Sequence, residues 1–133
     1  MELNEIIATS ESINIYNDGD VTVYQQKESP YNSIIEGWMK MCENAHEMPA
    51  FGVSLNNETV EVMNTGLWVE FVFDTVQSHN NRSFEQLLVK VEKEWQGFNI
   101  VRYSAHGGYS GRCYFYDLNG KNMAQFYDIL SNL

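Results

Sequence analysis

The stretch Thr59–Val76, TVEVMNTGLWVEFVFDTV, is the longest alternating segment of the chain. Side chains on an extended strand alternate with a period of two. Leu67, Val69, Phe71 and Phe73 therefore share one side, and Trp68, Glu70, Val72, Asp74 and Val76 share the other. Thr65-Gly66 is a turn signal inside the run, so the stretch predicts a β-hairpin with one wholly apolar face at the centre of the core. In that hairpin Val62 opposes Val69 and Val60 opposes Phe71. The opposite face then matches Met63 with Trp68 and Glu61 with Glu70, with Asp74 further along.

Upstream, residues 3–9 suit a short helix with Leu3, Ile6 and Ile7 on one side. Ser12–Gln26 alternates about Asn17-Asp18-Gly19-Asp20, a strong hairpin signal. Ser29 suits an N-cap and Pro30 the first helical position. A helix is expected over Pro30–Glu47, with Tyr31, Ile34, Ile35, Trp38, Met41, Cys42 and Ala45 inward and Glu36, Lys40, Glu43 and Glu47 outward. Pro49 stops it, and Ala50–Leu55 reads as a strand with Phe51, Val53 and Leu55 inward.

Downstream, Gln77–Arg82 reads as a polar loop. Ser83 with Gln86 forms a capping-box pattern before an apolar stripe of Phe84, Leu87, Leu88, Val91 and Trp95, which predicts a second helix ending at Gly97. Phe98–Ser104 and Arg112–Leu118 read as strands joined by a flexible loop, AHGGYSG. After the Asn119-Gly120 turn a last helix opens at Asn122, with Met123, Phe126, Tyr127, Leu130 and Leu133 inward. The order β-β-α-β-β-β-α-β-β-α, with short turns and no regular βαβ alternation, predicts one α+β domain over residues 1–133. Its sheet is antiparallel or mixed, built from hairpins and packed by two to three amphipathic helices.

With 133 residues, 44% hydrophobic and 14% aromatic, the chain has material for one packed core. No apolar run approaches the ~20 residues of a membrane span. The acidic N-terminus lacks the pattern of a signal peptide, and Cys42 and Cys113 suit reduced core thiols, so the expected compartment is cytoplasmic. The net charge of −10 is uneven: residues 1–81 hold 13 carboxylates against Lys27 and Lys40, whereas residues 82–133 hold 5 against 6 basic groups. Direct binding to nucleic-acid phosphate, which needs Lys and Arg to displace counterions, is disfavoured. A protein with a basic surface is the natural partner of such a balance. Oligomeric state is not legible.

No Walker loop, G-x-G-x-x-G, H-E-x-x-H or G-x-S-x-G is present. Cys42 and His46 stand four apart on the expected helix, a spacing that two metal ligands can use, but His79 and His106 would have to complete the site from loops. A buried core thiol and an exposed His near a helix end are the simpler assignment, and neither metal nor cofactor is expected. In AHGGYSGR the backbone N–H groups of Gly107, Gly108 and Gly111 can converge on an anion beside His106, Tyr109 and Arg112. The same glycines equally suit a long hairpin loop. A Ser110–His106 nucleophilic pair lacks a third orienting residue, and no catalytic residue is assigned.

The mixed face of the central hairpin is the more informative constellation. Glu61, Met63, Trp68, Glu70 and Asp74, with the helix carboxylates Glu36, Glu43 and Glu47, would present acidic and aromatic groups to a basic partner. A glycosidase-like Glu61–Glu70 pair is conceivable, but no sugar cleft is legible. The expectation is thus a small acidic interaction factor of inhibitor, immunity or anti-defence type. A small-molecule or nucleotide-binding module using residues 105–112 is the alternative, and a small enzyme of unknown reaction comes third.

Overall fold

A computed structural model of the chain describes residues 2–50 and 52–133, so the inward placement expected of Phe51 lies outside the described residues. In chain order the elements are α1 (Leu3–Ile7), β1 (Ser12–Asn17), β2 (Asp20–Gln25), α2 (Ser29–Met41), β3 (His46–Met48), β4 (Val53–Ser54) and α3 (Asn56–Val62). They continue with β5 (Leu67–His79), β6 (Arg82–Val91), β7 (Gly97–Ser104), β8 (Gly108–Tyr109), β9 (Gly111–Arg112), β10 (Tyr114–Asp117) and α4 (Ala124–Ser131). One antiparallel sheet runs β2-β1-β5-β6-β7-β10-β3, with β8 beside β7, and β4 pairs with β9 in a small second sheet. The α+β class read from the pattern is the class of the fold.

The expected apolar face is real. Leu67, Val69, Phe71 and Phe73 are all buried in the main core, with Ile13 and Ile15 of β1 and Leu87, Val89 and Val91 of β6 on the same side. α1, α2 and α4 cover it with Leu3, Ile6, Ile7, Ile34, Trp38, Phe126 and Leu130. Trp38 sits at the centre, its ring 5.1 Å from Phe71, 5.0 Å from Phe98 and 5.6 Å from Phe126, while its Nε1 donates to Asn4 Oδ1 at 2.9 Å. Gly37 explains how α2 and α4 meet so closely, since a Cβ there would lie 2.7 Å from Ile129 Cδ1.

Several expectations are corrected; Val53 and Leu55, expected inward, are 64% and 58% exposed. First, β5 does not pair with residues 59–63; residues 59–62 belong to α3 and Met63 is its C-cap. Thr59 and Met63, four apart, are both 8% exposed, while Val60 and Val62 between them are 48% and 50% exposed. This is the burial of one helical face, not of alternating strand positions. β5 instead pairs with β1 and β6, so Glu61 is not opposite Glu70. Second, the helix expected from Ser83 is strand β6. Asn80 and Asn81 have φ of 51° and 62° and form the two-residue turn between His79 and Arg82, the left-handed backbone that hairpin turns demand. Leu87-Leu88-Val89 then buries side chains on both faces of the sheet, which no single helical stripe does. Third, α2 stops at Met41. Glu28, not Ser29, is its N-cap, and residues 46–48 cross to the sheet as β3, paired with β10.

The hairpin β1–β2 closes at Asp18-Gly19 as its sequence indicates. The loop expected at 105–111 holds β8 and part of β9. A shift of register between Val72 and Gln77 bulges β5, exposing Asp74, Thr75 and Val76. Phe84 thereby packs into the main core, 5.6 Å from the Phe73 ring.

Candidate functional site

The second face of the sheet carries a small cluster of its own: Met63, Trp68, Leu88 and Tyr109, flanked by Tyr16, Val101 and Tyr103. Strand parity builds it. Trp68 and Glu70 alternate out of the main core on β5; Asn14 faces Glu70 and Tyr16 faces Trp68 across β1, and Leu88 faces Glu70 across β6. Tyr109 arrives from β8, which folds back on β7 so that Tyr109 pairs with Tyr103 at 4.9 Å between rings. α3 lies across the cluster through Met63, held by a 2.6 Å hydrogen bond between Ser54 Oγ and Thr59 Oγ1.

Glu70 is at the middle of this face and has no exposed surface, 0%. The Tyr16 hydroxyl donates to its Oε1 at 2.7 Å and Asn14 Nδ2 to the same oxygen at 3.2 Å. The Tyr109 hydroxyl donates to Oε2 at 2.6 Å. Both carboxyl oxygens are thus acceptors, the arrangement of a carboxylate held by charge-assisted hydrogen bonds. Among the described residues no Lys, Arg or His forms an ion pair with it. Lys90, the cation nearest in the ladder, is committed elsewhere: its Nζ is 3.2 Å from Glu92 and 5.8 Å from the Trp68 and Trp95 ring centres. Burial, reinforced by the charge of Glu70 and the bonds to it, pushes the phenols of Tyr16 and Tyr109 well above the ordinary tyrosine value. Both phenols therefore hold their protons more tightly than a free tyrosine does and act as O–H donors to Glu70.

Beside the two phenols opens a cavity of about 280 Å³, lined by Tyr16, Gly19, Val60, Met63, Asn64 and Tyr109. The β1–β2 turn is fastened there, because Asp18 N–H donates to Gly66 O at 2.9 Å and Gly66 N–H to Asp18 Oδ1 at 2.8 Å.

The candidate partner-binding residues divide. Glu61 and Asp74 are exposed, as are Glu36 and Glu43 at α2 and just beyond it. Met63 and Trp68 are buried; the Trp68 indole donates to Thr65 O at 2.8 Å. Glu47 belongs to β3 rather than to a helix, and accepts from Asn80 Nδ2 at 2.8 Å and Tyr116 OH at 3.0 Å, with His79 Nε2 at 2.9 Å. Burial opposes its ionisation, but His79, Tyr116 and Asn80 together hold its carboxyl below the usual range.

In the glycine loop several backbone donors are already engaged. Gly107 N–H donates to Ser104 Oγ, Tyr109 N–H to Asn56 Oδ1 and Ser110 N–H to Arg102 O, so those groups have partners within the protein. Gly108, with φ of +65°, is required because Asn56 fills the space a Cβ would take. His106 and Arg112 are exposed, and Tyr109 joins the Glu70 cluster instead. Cys42 is the C-cap of α2 while His46 begins β3, which removes the helical spacing of that pair. Burial pushes the Cys42 thiol up to about 12. Among the described residues, no three His, Cys, Asp or Glu side chains are grouped to hold a metal ion. No helix among them is long and apolar enough to cross a membrane.

The parts missing from the sequence reading are Asn14 and Tyr16. Both stand on the polar side of a strand already legible as such, but the neighbour of that strand was not legible. The fold and site together define an antiparallel α+β domain with a buried tyrosine–carboxylate cluster. No family model, curated protein or solved structure matches the chain.

Proposed function

We propose that the protein is a small acidic interaction factor, of inhibitor, immunity or anti-defence type, that presents carboxylates and aromatic side chains to a basic protein partner. One observation carries the reading. Val21 and Val23 on the outermost strand β2 are 52% and 48% exposed, and α3 adds the half-exposed Val60 and Val62. Tyr16 connects the two groups, facing Val21 across the ladder and sharing a cavity with Val60. Asp18, Asp20, Glu58 and Glu61 stand beside these apolar residues in the chain, and none of them forms an ion pair among the described residues. Apolar side chains left in water within a fringe of like charge suit a complementary surface that is apolar at its centre and basic at its rim. The reading places the protein in the cytoplasm, in keeping with the free thiols of Cys42 and Cys113, and involves neither nucleic acid nor membrane directly.

The test is affinity capture on the immobilised full chain across a salt series, with identification of what is retained. Basic proteins should be held at low salt and released well above ~0.1 M, where charges are screened beyond ~10 Å. A quadruple variant, Asp18→Asn, Asp20→Asn, Glu58→Gln and Glu61→Gln, should lose them. Retention indifferent to both changes overturns the reading.

A further inference from the structure

Glu70 is buried and takes its hydrogen bonds from neutral donors alone. Taking a carboxylate out of water is expensive, and neutral donors offset that less fully than a cation does. Here the donors are two phenols and an amide, and among the described residues no cation contacts it. The two phenols that hold the carboxylate are also walls of the adjacent cavity, with Met63 and Val60 completing an apolar lining. A ring face attracts a cation, and more so where water is excluded and a negative charge lies behind the ring. Gly19 at the rim is flanked in the chain by Asp18 and Asp20, and Val60 by Glu61, so the approach is acidic as well. With about 280 Å³, the cavity is the size for one long side chain rather than for a nucleotide or a sugar chain.

From this juxtaposition we infer that the cavity between Tyr16 and Tyr109 is the anchor pocket for a single lysine or arginine side chain of the partner protein. Its methylene stem packs on Val60 and Met63, and its charged head lies against the two rings that hold Glu70. The assignment rests on the interaction-factor reading above and adds the chemistry by which the partner is recognised. Asn64 Oδ1 or the Asn64 carbonyl, both close to Gly19, supplies an acceptor at the rim for the donors of the incoming head group.

The experiment is an NMR titration of the full chain labelled on its tyrosine rings. The probes are the N-acetyl, N′-methylamide derivatives of lysine, of arginine and, as the uncharged isostere, of norleucine. The lysine or arginine probe should shift the Tyr16 and Tyr109 ring signals saturably, leaving those of Tyr31 and Tyr114 in place, and norleucine should not. Glu70→Gln should weaken binding roughly fivefold or more, as expected when a cation over aromatic rings loses the charge behind them. Val60→Trp changes a half-exposed residue at the mouth, and should abolish the shifts without touching the carboxylate. Equal shifts with norleucine, or none with any probe, overturn the inference. Should Glu70→Gln fail to fold, the lysine–norleucine contrast and Val60→Trp decide. Undiminished salt-sensitive capture of basic proteins by Val60→Trp removes the anchor and leaves the function; binding of the lysine probe with no basic protein captured does the reverse.

Discussion

Tyr109→Phe removes one oxygen atom and tests the tyrosine–carboxylate cluster directly. The Tyr109 hydroxyl is the donor to Glu70 Oε2, whereas Oε1 accepts from both Tyr16 and Asn14. A hydrogen bond to a charged group contributes about 1.5–3 kcal/mol, and the loss lies at the upper end when the acceptor is left buried and unmet. Glu70 has no exposed surface through which water can replace the phenol. The expected loss is therefore about 2–3 kcal/mol for Tyr109→Phe, against about 1–1.5 kcal/mol for Tyr16→Phe, where Asn14 remains on the same oxygen. Urea unfolding reads this as a midpoint lower by about 1–2 M for Tyr109→Phe, with the slope unchanged. A double-mutant cycle isolates the bond: in a Glu70→Leu background Tyr109→Phe should be nearly neutral, because no buried charge is then left unmet. Equal losses with and without Glu70, or a larger loss at Tyr16 than at Tyr109, would refute the account of the cluster.

Phe71→Ala deletes a fully buried ring packed edge-on against Trp38, and is expected to cost about 3–5 kcal/mol in urea unfolding. A loss under about 1 kcal/mol would mean the core face of β5 is misassigned. Glu47 has a folded-state value below its ordinary 4.5, so its contribution is fully present above that value and is lost as the pH falls through the lower, folded one. Glu47→Gln should accordingly flatten the acid limb of the stability curve, and an unchanged limb would count against the His79–Glu47–Tyr116 contact. At the alkaline end the sign reverses. Burial raises the phenols of Tyr16, Tyr109 and Tyr116, and takes Tyr114 up to about 12, so stability should fall as the pH rises past the ordinary value of 10.0. Phenolate absorbance from these four should appear together with unfolding by circular dichroism; free titration in the folded state would contradict their burial.

The Glu61–Glu70 pairing expected from the sequence vanishes with the hairpin that produced it. What the sequence by itself determined is local and periodic. The apolar side of β5, the Asp18-Gly19 hairpin, the inward stripe of α2 and the mixed α+β class all follow from spacing and turn chemistry, which neighbours in the chain suffice to express. The Asn80-Asn81 turn is equally local, two residues of a type that tolerates left-handed backbone, although the stretch reads as a polar loop. Only the tertiary structure decided what needs a distant partner. Residues 84–91 suit a helix stripe or a doubly covered strand, and the ladders with β5 and β7 select the strand by satisfying its backbone. Val60 and Val62 suit a strand face until Thr59 and Met63 find cover and make α3 a helix. Glu70 reads as one more outward charge on an alternating strand. Its burial depends on Tyr16, 54 residues before it, and on Tyr109, 39 residues after it, meeting over the same face. A period of two states which side of a strand a residue takes, and only the fold states what stands on that side.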